Sequence, residues 1–110
     1  MAKFLILYRS PMSFEEQMAT ATPEEMQAGM EPWMAWFGKY SKEITDLGSP
    51  LAHGQHFTPD GASDSQSHIA GYTFVEAADM AAVRGIVSEH PHFMRPGNAI
   101  EVFEVMPMGM

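Results

Sequence analysis

The 110-residue chain has the length of one ordinary domain, and its 45% hydrophobic and 18% charged residues are typical of a globular fold. Six basic against 14 acidic residues give a formal net charge of −8, which disfavours nucleic acid and anionic membrane surfaces as partners. Cysteine is absent, so disulfides and thiolate metal sites are excluded. No apolar run approaches about 20 residues, so we expect one cytoplasmic domain, residues 1–110, without a membrane span.

The N-terminal part of the chain predicts a central strand and then a capped helix. Residues 3–9 form a short run that is apolar on both faces, which indicates a strand covered on both sides. Residues 10–21 lack a firm period and predict a loop with some helical turns. Thr22, Pro23 and Glu25 supply an N-cap, a first-turn proline and the acidic residue of a capping box, so a helix begins there.

An aromatic stripe defines the expected buried face of this helix. Pro32 predicts a kink, or a division of the helix into two pieces. Large side chains recur on one face at alternating steps of four and three, at Trp33, Phe37, Tyr40, Ile44 and Leu47. A face this large indicates packing against a sheet. Gly48 suits a left-handed cap, so we expect the helix to end at residues 46–48.

The second half of the chain predicts three more strands and one helix. The expected ranges are residues 51–58 (strand), 69–76 (strand), 79–89 (helix) and 98–106 (strand). Residues 59–61 indicate a turn, and the polar residues 62–67 prolong that connection. Met80, Val83 and Val87 are expected on the buried side of the second helix.

The order βαββαβ in about a hundred residues indicates an α+β domain with a four-stranded antiparallel sheet and two helices on one face. The first and third strands are apolar on both sides, so a monomer would expose a large apolar patch on the other face. Two such faces packed together by two-fold symmetry would cover it. We therefore expect a homodimer.

Four segments, in the same order along the chain, resemble the YCII-related family of small bacterial proteins. They are Met-Glu-Pro-Trp-Met-Ala-Trp-Phe-Gly (30–38), Asp-Leu-Gly-Ser-Pro (46–50), Gly-Tyr-Thr-Phe-Val-Glu-Ala (71–77), and Pro-His-Phe with Ile-Glu-Val-Phe-Glu-Val-Met-Pro (91–93 and 100–107). The resemblance implies a ferredoxin-like fold of the dimeric α/β-barrel type over nearly the whole chain. The Asp-Gly-Pro-Phe motif of a large branch is absent, so the resemblance is to a branch that lacks it.

The candidate catalytic residues are His53, His56 and Asp46. Histidines are the groups expected to titrate near neutral pH, and the family includes members to which catalysis by a His and Asp pair is attributed. Either one of the two histidines projects into a pocket as an acid or base, or both belong to a polar strand end near solvent. Asp46 resembles a recurrent Asp of the relatives; it either orients a His or bonds turn amides near Gly48.

The candidate pocket residues are Trp36, Tyr72 and His92. Trp36 lies off the aromatic stripe and could line a cavity, with its indole N–H in need of a partner. His92 lies in the segment that matches the family's Pro-His stretch, and Tyr72 lies in the third strand. His90, near a helix end, would be favoured in its protonated form by the helix dipole.

Two functions of different classes fit these residues. The first is binding of a small organic molecule with lyase-like or isomerase-like activity, in which a His takes a proton from an organic acid or phenol. The alternative is a non-catalytic ligand-binding or interaction module. No phosphate-cradling loop is present, and we expect neither a cofactor nor a metal. For the catalytic version we expect His53 or His56 to border the main pocket with Asp46 and His92, and the pKa of the paired His to rise.

Overall fold

The computed structural model describes residues 1–12 and 14–108, which contain both helices and strands. In chain order they are β1 (Ala2–Arg9), α1 (Phe14–Thr20), α2 (Pro23–Lys39), β2 (Ile44–Asp46), β3 (Gln55–Thr58), β4 (Gly61–Asp64), β5 (Ile69–Ala77), α3 (Met80–Val87), a 3₁₀ helix (Pro91–Met94) and β6 (Ala99–Glu104).

Strands β5 and β1 form the centre of a four-stranded sheet with the order β2-β5-β1-β6. All three pairings are antiparallel; in β1, Phe4 lies opposite Val75 of β5, and Ile6 lies opposite Val102 of β6. This strand order with antiparallel neighbours is that of a ferredoxin-like α+β domain. The predicted fold class is confirmed.

One side of the sheet, which we call the helical face, is packed against α2 and α3. Its buried strand residues are Phe4, Ile6, Tyr8, Thr73, Val75 and Ala77. Trp36 of α2 and Val83 and Ile86 of α3 complete the buried core. Val83 is buried as predicted. Met80, also predicted to be buried, is 40% exposed, and Ile86 is buried instead. The core therefore lies between the helical face and the two helices.

The other side of the sheet, which we call the open face, carries apolar side chains that none of the described helices covers. Its main members are Leu5 and Leu7 of β1, Tyr72 and Phe74 of β5, and Phe103 of β6, which the strand registers place on one side. Phe103 is 51% exposed and the other four are half-buried. Lys3 and Arg9 share this side of β1.

Helix α2 begins as the sequence indicates. The hydroxyl of Thr22 accepts a hydrogen bond from the Glu25 amide at 3.1 Å, and Pro23 occupies the first turn. The helix is continuous through Pro32, so the alternative of two separate pieces is wrong.

The end of α2 differs from the prediction, because the helix stops at Lys39 rather than at residues 46–48. Ile44 lies in β2 opposite Val75, and the Glu76 amide donates to the Glu43 carbonyl at 2.8 Å. A strand here satisfies the backbone groups along the edge of β5, which a longer helix would leave without partners. The helical spacing of Ile44 and Leu47 is therefore coincidental.

The connection between β2 and β5 also differs from the prediction. Only Gln55–Thr58 of the expected strand 51–58 is extended, and it pairs with β4 instead of joining the sheet. Part of the polar run 62–67 is β4 itself. Residues 10–21, expected as a loop with some helical turns, include α1. Among residues 1–12 and 14–108, no helix combines the length and apolar character needed to cross a bilayer.

Candidate functional site

A line of hydrogen bonds crosses the core between the 3₁₀ helix and the end of β2. The His92 amide donates to His90 Nδ1 at 2.9 Å, and His90 Nε2 lies 3.0 Å from the Tyr8 hydroxyl. Tyr8 Oη is 2.7 Å from Thr73 Oγ1, whose hydroxyl donates to the Leu47 carbonyl at 3.0 Å. Tyr8, Thr73, His90 and His92 are all buried, so these bonds replace those that water would supply.

The direction of every proton in this line follows from its two ends. A threonine hydroxyl has one proton, and Thr73 uses it on the Leu47 carbonyl, so Tyr8 must donate to Thr73. Tyr8 then accepts from His90, which places the His90 proton on Nε2. Its Nδ1 bears no proton, because that nitrogen accepts from the His92 amide. His90 is therefore a neutral imidazole with both ring nitrogens occupied.

Aromatic rings surround His90. The ring centroids of Trp33 and Trp36 lie 4.5 and 4.2 Å from that of His90, and Tyr8 lies 4.8 Å away. Trp36 is held in place because its indole N–H donates to the Ile86 carbonyl at 2.9 Å. Helices α2 and α3 are thus joined by the side chain that also packs on the imidazole.

Burial sets the proton affinities in this cluster. Desolvation raises the pKa of Tyr8 to about 12, against the opposing hydrogen bond to Thr73. Desolvation, assisted by the neighbouring His92, lowers the pKa of His90 to about 3. The expectation that the helix dipole favours protonated His90 is therefore wrong, because exclusion of water outweighs an effect that is small at a helix end.

His92 is the second buried imidazole, and its Nε2 donates to the Arg9 carbonyl at 2.8 Å. The amide nitrogen of Asn98 lies 3.4 Å from His92 Nδ1 and donates to the His92 carbonyl at 2.9 Å. Burial lowers the pKa of His92, while the backbone carbonyls of Arg9 and Ala99 oppose that shift. Like His90, His92 is a neutral ring fixed by its neighbours.

A cleft of about 330 Å³ opens over this cluster, between the second half of α2 and the 3₁₀ helix. We call it the Trp36 cleft; its lining residues are Pro32, Ala35, Trp36, Lys39, Glu89, His90, Pro91 and Met94. Most of this lining is apolar. Its one ion pair joins Lys39 Nζ to Glu89 Oε2 at 2.8 Å, with both side chains exposed. That pair raises the pKa of Lys39 and lowers that of Glu89.

The structure brings two of the three predicted pocket residues to this cluster. Trp36 lines the cleft, and His92 lies directly behind it, bonded to His90. Tyr72 is on the open face, where its ring centroid lies 5.8 Å from that of Phe74. Tyr72 and Trp36 therefore lie on opposite sides of the sheet and do not share a pocket within one chain.

The three candidate catalytic residues lie outside the lining of the Trp36 cleft. Asp46 is exposed, and its Oδ1 accepts from the Gly48 amide at 2.9 Å, which is the turn-bonding alternative considered for it. His53 is exposed, with a φ of 57°. His56 is exposed on β3 and lines a separate hollow of about 250 Å³ with Asp60 and Ser63 among others. The catalytic role of these residues stays a prediction.

Three residues of the buried line, Tyr8, Thr73 and His90, were not among the candidate site residues. Tyr8 lies on the same side of β1 as Phe4 and Ile6, so its hydroxyl had to find a buried partner. That requirement was visible in the sequence, but the identity of the partner was not. His90 is 82 residues away along the chain. Within the described ranges, no group of three or more acidic or His side chains is arranged to hold a metal ion.

Comparison with known proteins gives a likeness of fold. Neither a family model nor a curated protein matches the chain. Among solved structures, the chain is similar to 5-chloro-2-hydroxyhydroquinone dehydrochlorinase (TftG) from Burkholderia phenoliruptrix AC1100, in complex with 2,5-dihydroxybenzoquinone. The TM-score is 0.53 at 17% sequence identity, over 94% of this chain and 93% of that chain. At this identity the likeness shows the fold alone.

Proposed function

We propose that this chain is a YCII-related protein that binds a small organic molecule with a planar ring in the Trp36 cleft. The observation that carries the proposal is the lining of the cleft. Apolar side chains form most of it, and a single ion pair, Lys39 with Glu89, offers a donor and an acceptor at one end. A mostly apolar concavity with few polar groups is the usual form of a site for a small molecule.

Two further points support this proposal. The four sequence segments that resemble the YCII-related family agree with the ferredoxin-like fold. The solved structure of similar fold holds 2,5-dihydroxybenzoquinone, a flat ring that bears oxygen atoms. A ligand of this class would place its ring against Trp36, Pro91 and Met94 and its oxygen atoms near the Lys39–Glu89 pair.

The cleft favours binding over acid–base catalysis by its own histidine. His90 forms part of the lining, but both its ring nitrogens are engaged and its pKa is lowered to about 3. A general base needs a free nitrogen within hydrogen-bond reach of the proton that it removes. To act as a base, His90 would first have to break the hydrogen bond that its Nδ1 accepts from the His92 amide.

Lyase-like or isomerase-like activity is the second candidate, and His56 is the residue that favours it. His56 lies opposite Ser63 in the β3–β4 pair and shares its hollow with Asp60, so an imidazole, a hydroxyl and a carboxylate line one polar site. His53 and Asp46 remain candidates for supporting roles. If the chain is an enzyme, replacement of His56 by Asn should abolish turnover while the affinity of the Trp36 cleft is unchanged.

Thermal shift with a panel of phenols, hydroxyquinones and small aromatic acids tests the binding proposal. A ligand at about a hundred times its Kd stabilises the folded state by about 2.7 kcal/mol, which raises Tm by roughly 10 °C in a domain of this size. Ala35→Leu fills the cleft from an exposed helix position and should remove the shift. Ala81→Leu, on the exposed side of α3, is the matched control and should retain it. No shift with any panel member would contradict the proposal.

We further propose that the chain acts as a homodimer joined through the open face. Leu5, Leu7, Tyr72, Phe74 and Phe103 form an apolar patch that spans three neighbouring strands. Monomeric proteins seldom expose a contiguous patch of this kind. A two-fold axis would place the same patch of a second copy against it.

A further inference from the structure

The β3–β4 hairpin stands apart from the rest of the molecule. Its two strands pair with each other and with none of the four strands of the sheet. Every residue from Leu51 to Asp64 is exposed. A two-stranded hairpin by itself is at best marginally stable in water, and it needs a surface to pack against. The described part of the chain offers it none.

The hairpin is connected to the sheet as an extension of its edge. Pro50 forms an isolated antiparallel bridge with Gly71, and the Leu51 amide donates to the Ala70 carbonyl at 2.9 Å. These contacts continue the pairing of β2 with β5. The Ser65 amide then donates to the Gly54 carbonyl at 2.9 Å and closes the base of the hairpin. The hairpin therefore projects from the sheet as an arm.

The two faces of the arm differ in character. Phe57 lies opposite Ala62, and Gln55 lies opposite Asp64, so these four side chains form one face. We call it the Phe57 face. His56 and Ser63 are on the other face, which is polar. Phe57 is the largest apolar side chain of the arm and is 74% exposed.

The surface area of the chain is too large for a compact monomer. A monomer of 12.2 kDa is expected to expose about 6,100 Å², but this chain exposes 7597 Å². The excess is about 1,500 Å² per chain, or about 3,000 Å² for two copies, which falls within the range of obligate homodimers. The radius of gyration, 15.4 Å, likewise exceeds the roughly 13 Å expected for this length. The excess area is therefore of the size that an obligate homodimer buries.

We infer that the hairpin is a dimerisation arm, whose Phe57 face packs on the open face of the second copy. This inference rests on the proposed homodimer and adds to it a second contact. The arm carries Asp64 on its Phe57 face, and the open face carries Lys3 beside its apolar residues, whereas Arg9 on that face is already paired with Glu101 at 3.0 Å. Lys3 Nζ lies over the Phe74 ring at 4.7 Å, and no described carboxylate pairs with it. Asp64 of the arm can therefore pair with Lys3 of the second copy.

Sedimentation equilibrium of arm variants tests this inference. Phe57→Asp removes the apolar anchor and adds a like charge to an acidic protein, so the dimer Kd should rise at least about tenfold. Ser63→Asp adds the same carboxylate to the opposite face of the same hairpin and should change the Kd by less than about twofold. Equal dimer Kd values for Phe57→Asp and the parent chain would contradict the inference that the hairpin is a dimerisation arm.

A second measurement leaves Phe57 in place. Because the chain has no cysteine, Ala62→Cys and Ser63→Cys each give one site for a polarity-sensitive fluorophore. The label at Ala62 should shift to the blue as protein concentration rises through the dimer Kd, and the label at Ser63 should not. If the chain dimerises and neither label responds, the hairpin is not a dimerisation arm, although the proposed homodimer is retained. A chain that remains monomeric at micromolar concentration would overturn both.

Discussion

The buried line from His92 to Leu47 shows how a polar network is tolerated in a hydrophobic core. Each donor has one acceptor, and each bond points the same way along the chain of groups. Hydrogen bonds in such a line polarise and strengthen one another, whereas any buried group left without a partner bears the full cost of its desolvation. The line also joins the 3₁₀ helix to β1, β5 and the turn after β2, so it fixes the back wall of the Trp36 cleft.

Removal of the Tyr8 hydroxyl should expose this dependence. Tyr8→Phe leaves the His90 Nε2–H without an acceptor in a site that is only 2% exposed. We expect the free energy of unfolding to fall by about 1–3 kcal/mol, measured by urea denaturation. Tyr72→Phe makes the same chemical change on the open face and should fall within about 0.5 kcal/mol of the parent. Equal effects of the two substitutions would mean that the buried line is not a stabilising network.

The buried imidazoles also predict how stability depends on pH. Burial lowers the folded-state pKa of His90 to about 3, whereas the unfolded chain has a value of about 6.5. Between these values the unfolded state binds more protons, so stability is fully present above pH 6.5 and is lost as pH falls towards 3. The lowered pKa of His92 acts in the same direction.

This loss of stability should be measurable at pH values above those at which carboxylates become protonated. His90 alone should reduce the free energy of unfolding by about 2 kcal/mol between pH 7 and pH 5. Urea denaturation at several pH values gives the slope for the parent chain and for His90→Gln. The variant should lose most of that slope, whatever its absolute stability. A parent slope that His90→Gln leaves unchanged would show that the imidazole is not held neutral.

At the scale of the elements, local signals decided where structure begins. The Thr22 cap starts α2, and the Asp79 side chain accepts from the Ala82 amide at 2.9 Å to cap α3. These contacts involve neighbours within three residues, so the sequence contains them in full. The end of α2 depends instead on a distant residue, because Ile44 pairs with Val75, which is 31 residues away along the chain.

Gly48 is the residue that permits this close approach of β2 to β5. Its φ is +78°, and a Cβ at this position would overlap the carbonyl oxygen of Tyr72. Gly48→Ala should therefore destabilise the fold by more than about 2 kcal/mol, since the conformation and the contact both oppose it. Gly85→Ala, on α3 with open space around the new Cβ, is the control. It should be neutral or stabilising by about 0.5–1 kcal/mol in thermal or urea unfolding. A neutral Gly48→Ala would contradict the described β2–β5 packing.

At the scale of the whole molecule, the chain is a slab of 43 × 38 × 20 Å that is covered on one side. Both helices of the ferredoxin-like core pack on the helical face, and the hairpin arm projects from the edge of the sheet. A slab of this kind has a large surface for its mass. The open face carries an apolar patch on that surface, and the hairpin arm adds the exposed side chain of Phe57.

The open face gives a prediction that is separate from the arm. Phe103 is 51% exposed in the edge strand β6, so a charge there should disturb the fold little and a face-to-face dimer greatly. Phe103→Glu should raise the dimer Kd by at least about tenfold in sedimentation equilibrium. Met34→Glu, at a position of α2 that is 59% exposed, is the matched control and should leave the Kd within about twofold. A dimer that tolerates Phe103→Glu would require a different interface.

The sequence by itself determined the parts of this protein that depend on neighbours and on periodicity. The apolar run of β1, the starts of α2 and α3, and strands β5 and β6 all follow from patterns within about ten residues. The ferredoxin-like class followed from the order of the predicted elements, although the second strand lies at Ile44–Asp46 rather than at residues 51–58. The helical pattern also singled out Trp36, and the resemblance to the YCII-related family singled out His92. Alternation along β1 places Tyr8 on the same face as Phe4 and Ile6, but nothing local marks it as a member of a site.

Only the tertiary structure decided the end of α2, the separate β3–β4 hairpin and the composition of the candidate site. Ile44 fits a helix and a strand equally well by local pattern, and the free edge of β5 selects the strand. His90 could have been a charged residue at a helix end, but burial beside Trp33 and Trp36 makes it neutral. Desolvation and long-range pairing depend on residues that are distant in the chain, so no local pattern encodes them.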